Sequence, residues 1–193
     1  MQILSRNRRR CPPSFLGAAM LAATSTCLAQ SADIDQSAPS AESLATLAQH
    51  FLAKENRKHI SDCGAVLTVR PFDITRAPLK NGGMPLLLAR ARGTCLCSPT
   101  GNCAFWALIP DGTSFRILLS ARTVQPYKVS ASFSHEHPDL ELIEHGSAFE
   151  STHRDYKFDG NAYRPTICGL WNYQDSENPD RILNAPRITS CNQ

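Results

Sequence analysis

The sequence predicts a mainly β, disulfide-braced domain: an antiparallel sandwich or strongly curved sheet with one N-terminal helix. Three observations lead there. About eight short β-favouring runs are separated by turn-forming residues, one stretch has helical period, and the cysteine count stays even once an export leader is set aside.

The leader comes first in the chain. Arg6, Arg8, Arg9 and Arg10 form a positive head, Phe15 to Ala23 is a short apolar run, and Ala29 closes a cleavage site before Gln30. Residues 1–29 are therefore expected to be a signal peptide, 30–39 a polar, flexible leader and 40–193 a single β-rich domain. The apolar run falls short of the ~20 residues that span a membrane, and no later segment reaches that length. Removing the four leader arginines leaves 16 basic against 17 acidic residues, a net charge of −1 where the whole chain carries +3. The basic face that nucleic acid requires is thereby lost, so no nucleic-acid partner is expected.

The next element is a helix from Ser40 to Lys54, where Leu44, Leu47, Ala48, Phe51 and Leu52 recur at helical spacing. Ser40 and Ser43 are candidate N-caps, and Lys54, Arg57 and Lys58 suit the negative pole of its dipole. Its leucines are expected to cover the core.

Strands follow. Ala65 to Val69 is β-favouring, and Pro85 to Ala91 is apolar after the Asn81-Gly82-Gly83 turn. Ser98 to Asn102 are all turn formers and set up a hairpin, with Cys103, Phe105, Ala107 and Ile109 on one face and Ala104, Trp106 and Leu108 on the other. Pro110 to Thr113 turns the chain into Phe115 to Ser120. Val124 to Phe133 alternates, and Leu140 to His145 is shorter. Tyr156 to Phe158 meets Tyr163 across Asp159-Gly160-Asn161. Cys168 to Tyr173 and Arg187 to Cys191 close the chain as partners.

Cys11 and Cys27 go with the leader, leaving Cys63, Cys95, Cys97, Cys103, Cys168 and Cys191, which an oxidising compartment would pair. Cys97 lies opposite Cys103 across the hairpin turn. An antiparallel C-terminal pair in which facing residue numbers sum to 359 sets Cys168 against Cys191 and Trp171 against Ile188. Cys95 then falls to Cys63, although Cys95 and Cys97 lie on one face and can exchange roles. A Cys95-Leu96-Cys97 redox or metal site is the competing reading; it lacks the Cys-x-x-Cys spacing.

The run Tyr156-Lys157-Phe158-Asp159-Gly160-Asn161-Ala162-Tyr163, preceded by His137 to Leu142 and His145 to Ala148, resembles a pattern in uncharacterised exported bacterial proteins, as does the cysteine-rich Gly101-Asn102-Cys103 turn. The likeness covers about the last two-thirds of the chain. The aromatic-x-Phe-Asp-Gly-x-x-Tyr hairpin also resembles a strand pair of blade-like secreted repeats, but it has no second copy. The resemblance implies an exported β-domain and carries no catalytic residue with it.

Candidate chemistry is sparse. His135, His137 and His145 are the metal-ligand candidates: His135-Glu136-His137 on an extended segment would place two imidazoles on one side, against the competing reading of a polar turn marked by Pro138-Asp139. His145-Gly146-Ser147 lacks the geometry of a serine nucleophile, because adjacent side chains diverge. Glu141 with Glu144, or Glu150 with Asp155, could supply acid and base for glycoside hydrolysis. Trp106, Tyr127, Trp171 and Tyr173 are the candidates for a recognition surface. The expected function is a periplasmic or secreted, non-enzymatic binding domain with no cofactor, an inhibitor or envelope accessory protein recognising a macromolecule. A metal-dependent or carboxylate hydrolase acting on envelope material is the alternative.

Overall fold

The computed structural model describes residues 40–62, 71–80, 82–93, 95–123 and 127–191; the leader, the expected strand at 65–69 and Cys63 fall outside them. The helix α1 spans Ala41–Glu55, one residue from the expected bounds, and is followed by a short α2, Arg57–Asp62. Ser40 caps α1, its hydroxyl accepting from the Ser43 amide at 3.2 Å. Leu44, Ala48 and Leu52, spaced four apart, form its buried stripe.

Among the described residues nine strands follow: β1 Phe72–Arg76, β2 Leu87–Ala91, β3 Cys103–Asp111, β4 Ser114–Thr123, β5 Lys128–Ser134, β6 His137–His145, β7 Glu150–Phe158, β8 Tyr163–Gln174 and β9 Ile182–Ser190. They pair with their chain neighbours into a four-stranded sheet, β1 to β4, and a five-stranded sheet, β5 to β9. Every ladder is antiparallel. The mainly β, antiparallel architecture is thus as the sequence predicts.

The layers follow from which face of each strand is apolar. Leu87, Ala89, Trp106 and Leu108 face α1 and enclose Leu44, Ala48, Leu52 and Phe72. Leu86, Leu88, Phe105, Ala107 and Ile109 point the other way, onto Leu140, Leu142, Tyr156, Phe158 and Tyr163 of the second sheet. The four-stranded sheet is therefore the middle layer, buried on both faces. That is why Ala104 to Ile109 reads as a continuous apolar run where a half-buried strand would alternate. Burying a side chain such as Phe105 or Leu108 contributes about 1.5 to 3 kcal/mol.

Polar side chains join the sheets, Thr123 and Asn102 at the end of β6 and Arg116 at Asn161. Among the described residues the ladder between β5 and β6 runs from Ser134↔His137 to Lys128↔Glu141, and the end of β6 is held by side chains. Thr123, fully buried at the end of β4, donates its hydroxyl to the Ile143 carbonyl at 3.1 Å and accepts from the Ile143 amide at 3.3 Å. Asn102 repeats the arrangement two residues on: its amide nitrogen donates to the His145 carbonyl and its oxygen accepts from the His145 amide, both at 2.8 Å. Both side chains satisfy backbone groups near the end of β6.

Cys97 pairs with Cys103, and Cys168 with Cys191. Gly169↔Ser190, Leu170↔Thr189, Trp171↔Ile188 and Asn172↔Arg187 are Cα partners, so the register sum of 359 holds there and shifts before Gln174↔Ile182. Cys95 is also disulfide-bonded. Its expected link to Cys63 lies outside the described residues.

The hairpin from Tyr156 to Tyr163 is a structural device. Asp159 accepts from the amides of Asn161 and Ala162 at 2.8 and 2.7 Å, and Gly160 takes φ of +93°. The Ala162 and Asn161 amides, then Arg164, hold the Asp159 carboxyl down at about 2. Phe158 and Tyr163 are buried, and the Tyr163 hydroxyl donates to the Pro138 carbonyl at 2.7 Å.

His137 packs beneath this hairpin, its ring centroid 4.6 Å from that of Phe158 and its side chain 1% exposed. Nδ1 is buried without a hydrogen-bond partner. Burial pushes the imidazole below its ordinary range; Glu136 opposes this and Arg116 adds to it. The unfolded chain therefore binds the proton more readily than the folded one, so stability falls as pH drops below the unfolded value of about 6.5. The melting temperature should decline between about pH 7 and pH 5, and His137→Phe should flatten that decline. Parallel declines in the two proteins would assign the acid sensitivity elsewhere.

Candidate functional site

The candidate site lies on the outer face of the five-stranded sheet. Since Leu140 and Leu142 point into the core, alternation sends Glu141, Ile143 and His145 outward from β6. Along β7 and β8 the facing numbers sum to 322, so Ser151 meets Trp171 and His153 meets Gly169, with Asp155 next in line on β7. These residues share the outward face.

A polar relay crosses it. Lys128 Nζ donates to Glu141 Oε2 at 2.9 Å, and Glu141 Oε1 lies 2.9 Å from His153 Nδ1. His153 Nε2 is 3.2 Å from the Ser151 hydroxyl. A carboxylate only accepts, so it fixes the neutral ring with its proton on Nδ1, and Nε2 accepts from Ser151. Partial burial raises the Glu141 pKa, but the bonds from His153 and Lys128 outweigh it and hold the group below its usual range.

The ring so oriented stacks on Trp171, with centroids 4.0 Å apart and planes 14° from parallel. Gly169 makes room for the indole. A Cβ there would lie 3.3 Å from Trp171 Nε1 and 3.6 Å from Ile188 Cγ2. On the same face, Ile188 opposite Trp171 is 60% exposed and Ile167, opposite Asp155, is 62% exposed. Toward β5 the same face sinks into a groove of about 490 Å3 lined by Lys128, Ser130, Asp139, Asp155, Lys157 and Ile167, among others.

Ser151, His153 and Glu141 have the connectivity of a nucleophile, base and orienting acid. Acyl transfer also needs converging N–H donors for the developing oxyanion. β7 is an interior strand whose amides serve the ladders with β6 and β8, so it supplies no such donors at Ser151. Here the relay holds a ring in place.

The residues singled out from sequence scatter. His135 sits in the β5–β6 turn with φ of +57°, and not on an extended segment. His137 is buried below Phe158, and Pro138 lies within β6, so the turn precedes the Pro138-Asp139 position expected to mark it. His145 is at the far end of β6, about 26 Å from His137. No grouping of three or more His, Cys, Asp or Glu suited to a metal occurs among the described residues. Glu141 and Glu144 emerge on opposite faces of β6, Glu144 pairing with Arg154 at 3.1 Å. Glu150 and Asp155 likewise diverge on β7. Trp106 is core, edge-on to Phe72 at 5.5 Å. Tyr127 is half-buried, its ring 4.9 Å from Phe105 and its hydroxyl bonded to Thr75 at 2.8 Å. Trp171 and Tyr173 remain, half-exposed on β8. From sequence, His153 stands out only as a neighbour of the His135-Glu136-His137 run and Ser151 is not singled out, although their i, i+2 spacing on a strand puts both beside Trp171 once the β7–β8 register is set.

No protein-family model matches this chain, and neither a curated protein nor a solved structure does.

Proposed function

We propose that the chain is an exported, non-enzymatic binding domain of the periplasm or extracellular medium, recognising a macromolecule with the outer face of its five-stranded sheet. The exposed isoleucines Ile167 and Ile188 on the same face as the half-exposed Trp171 carry this reading. A braced sheet that leaves large apolar side chains in solvent beside an aromatic anchor has the make-up of a recognition surface. The arginine-led N-terminal segment and the disulfides agree with an oxidising compartment outside the cytoplasm. Among the described residues no helix is long and apolar enough to cross a membrane.

Affinity capture from envelope extract tests the proposal. The native chain should retain material that an Ile188→Lys variant, altered on an exposed edge strand where lysine is well tolerated, releases. Equal retention by the two would remove this face from recognition.

A further inference from the structure

Resting on that binding reading, the geometry points to a saccharide chain as the ligand, lying in the groove on the outer face of the five-stranded sheet and reaching the Trp171 stack. The groove's volume of about 490 Å3 falls within the range of small-ligand sites. Its lining suits a polyhydroxylated ligand. Ser130 and Ser132 bring hydroxyls that both donate and accept, Thr166, whose hydroxyl donates to the Asp155 carbonyl at 3.3 Å, brings an acceptor as do Asp139 and Asp155, and Lys157 brings a donor. Lysine, aspartate and serine are depleted at the centres of protein–protein interfaces, so this composition argues against a protein seated there.

Part of that hydrogen-bonding capacity is uncommitted. Asp139 accepts from Ser134 at 2.6 Å, and Glu141 is held by Lys128 and His153. Among the described residues, neither the Asp155 carboxylate nor the Lys157 ammonium is bonded to another side chain. Asp155 stands on β7 two residues from His153, across the ladder from the exposed Ile167.

The aromatic end supplies the complementary element. A pyranose ring has faces rich in C–H groups and a rim of hydroxyls, and an indole offers an apolar surface with one N–H donor. Trp171 is fixed for that role by the stacked His153 and by the missing side chain at Gly169. From Ile167 to Trp171 along β8 is about 13 Å, so one ligand spanning groove and indole must be a chain of sugars.

The probes are tetramers of β-1,4-linked N-acetylglucosamine and of β-1,4-linked glucose, titrated into the full chain. Trp106 is buried in the core, so a saturable change in tryptophan fluorescence reports Trp171. Calorimetry should then find binding about tenfold weaker in Trp171→Ala and also weakened in Asp155→Asn, with Asp111→Asn in the distant β3–β4 turn unchanged. If Trp171→Ala fails to fold, Trp171→Phe and Asp155→Asn carry the comparison. No response to either tetramer at millimolar concentration, or affinities that neither substitution lowers, would overturn the inference. Envelope capture that survives glycan removal but not protease digestion would overturn the saccharide and leave the binding domain standing. No capture at all would remove both.

Discussion

Thr123→Val is expected to destabilise the fold by about 1 to 3 kcal/mol, although it keeps the side chain's volume and adds apolar surface. The loss comes from Ile143, whose amide and carbonyl both bond to the Thr123 hydroxyl. Valine removes both part-buried bonds, each contributing about 0.5 to 1.5 kcal/mol. Thr123→Ser separates this cause from packing. It keeps the hydroxyl and removes one buried methyl, for about 0.8 kcal/mol. Urea unfolding of the two variants decides the matter: valine well below serine supports the hydroxyl as the joint between sheets, and equal losses would refute it.

Removing the Cys168–Cys191 bridge with paired serines is the second large effect. The two cysteines are 23 residues apart, and a closed loop of that length restrains the unfolded chain by about 3 kcal/mol. The six-residue separation of Cys97 and Cys103 gives about 2 kcal/mol on the same argument. The larger loss should also be the more local in its structural effect. Cys168 closes the ladder of β8 against an edge strand that is mostly exposed, so β9 should fray first and take the Trp171–Ile188 pair with it. Denaturant unfolding gives the magnitudes, and amide exchange gives the location. Equal losses from the two bridges, or uniform loosening across both sheets, would contradict this division.

Much of the fold was legible because it was written in local rules. Helical spacing from Leu44 to Leu52, turn residues at Ser98 to Asn102 and Asp159 to Asn161, and two cysteines with a tryptophan at one register each fixed an element or a pairing. What escaped was non-local. β1 is five residues long between Pro71 and Pro78, with Asp73 inside it, so its pattern is too short to stand out until β2 lies beside it. Thr123 falls between the expected strands Phe115 to Ser120 and Val124 to Phe133, and Asn102 reads as a turn residue. Nothing near them in the chain announces that they bond to Ile143 and His145 of β6. The same holds for the candidate site: Trp171 and Tyr173 could be named from residue type, but the stack on His153 depends on the β7–β8 register. The histidine cluster shows the converse error. Neighbours in sequence, His135 and His137 do not converge: His135 itself takes a left-handed φ in the turn, and His137 is a buried packing position.

The central claim is that recognition falls on the outer face of the five-stranded sheet. Amide hydrogen exchange, measured on the full chain alone and loaded with material captured from envelope extract, tests it most directly. Added protection should be concentrated in peptides covering Lys128 to Glu141, Ser151 to Lys157 and Thr166 to Ile188, with α1, β1 and β2 unchanged. Protection centred on α1 and β1, with β7 to β9 exchanging as in the free chain, would contradict the account.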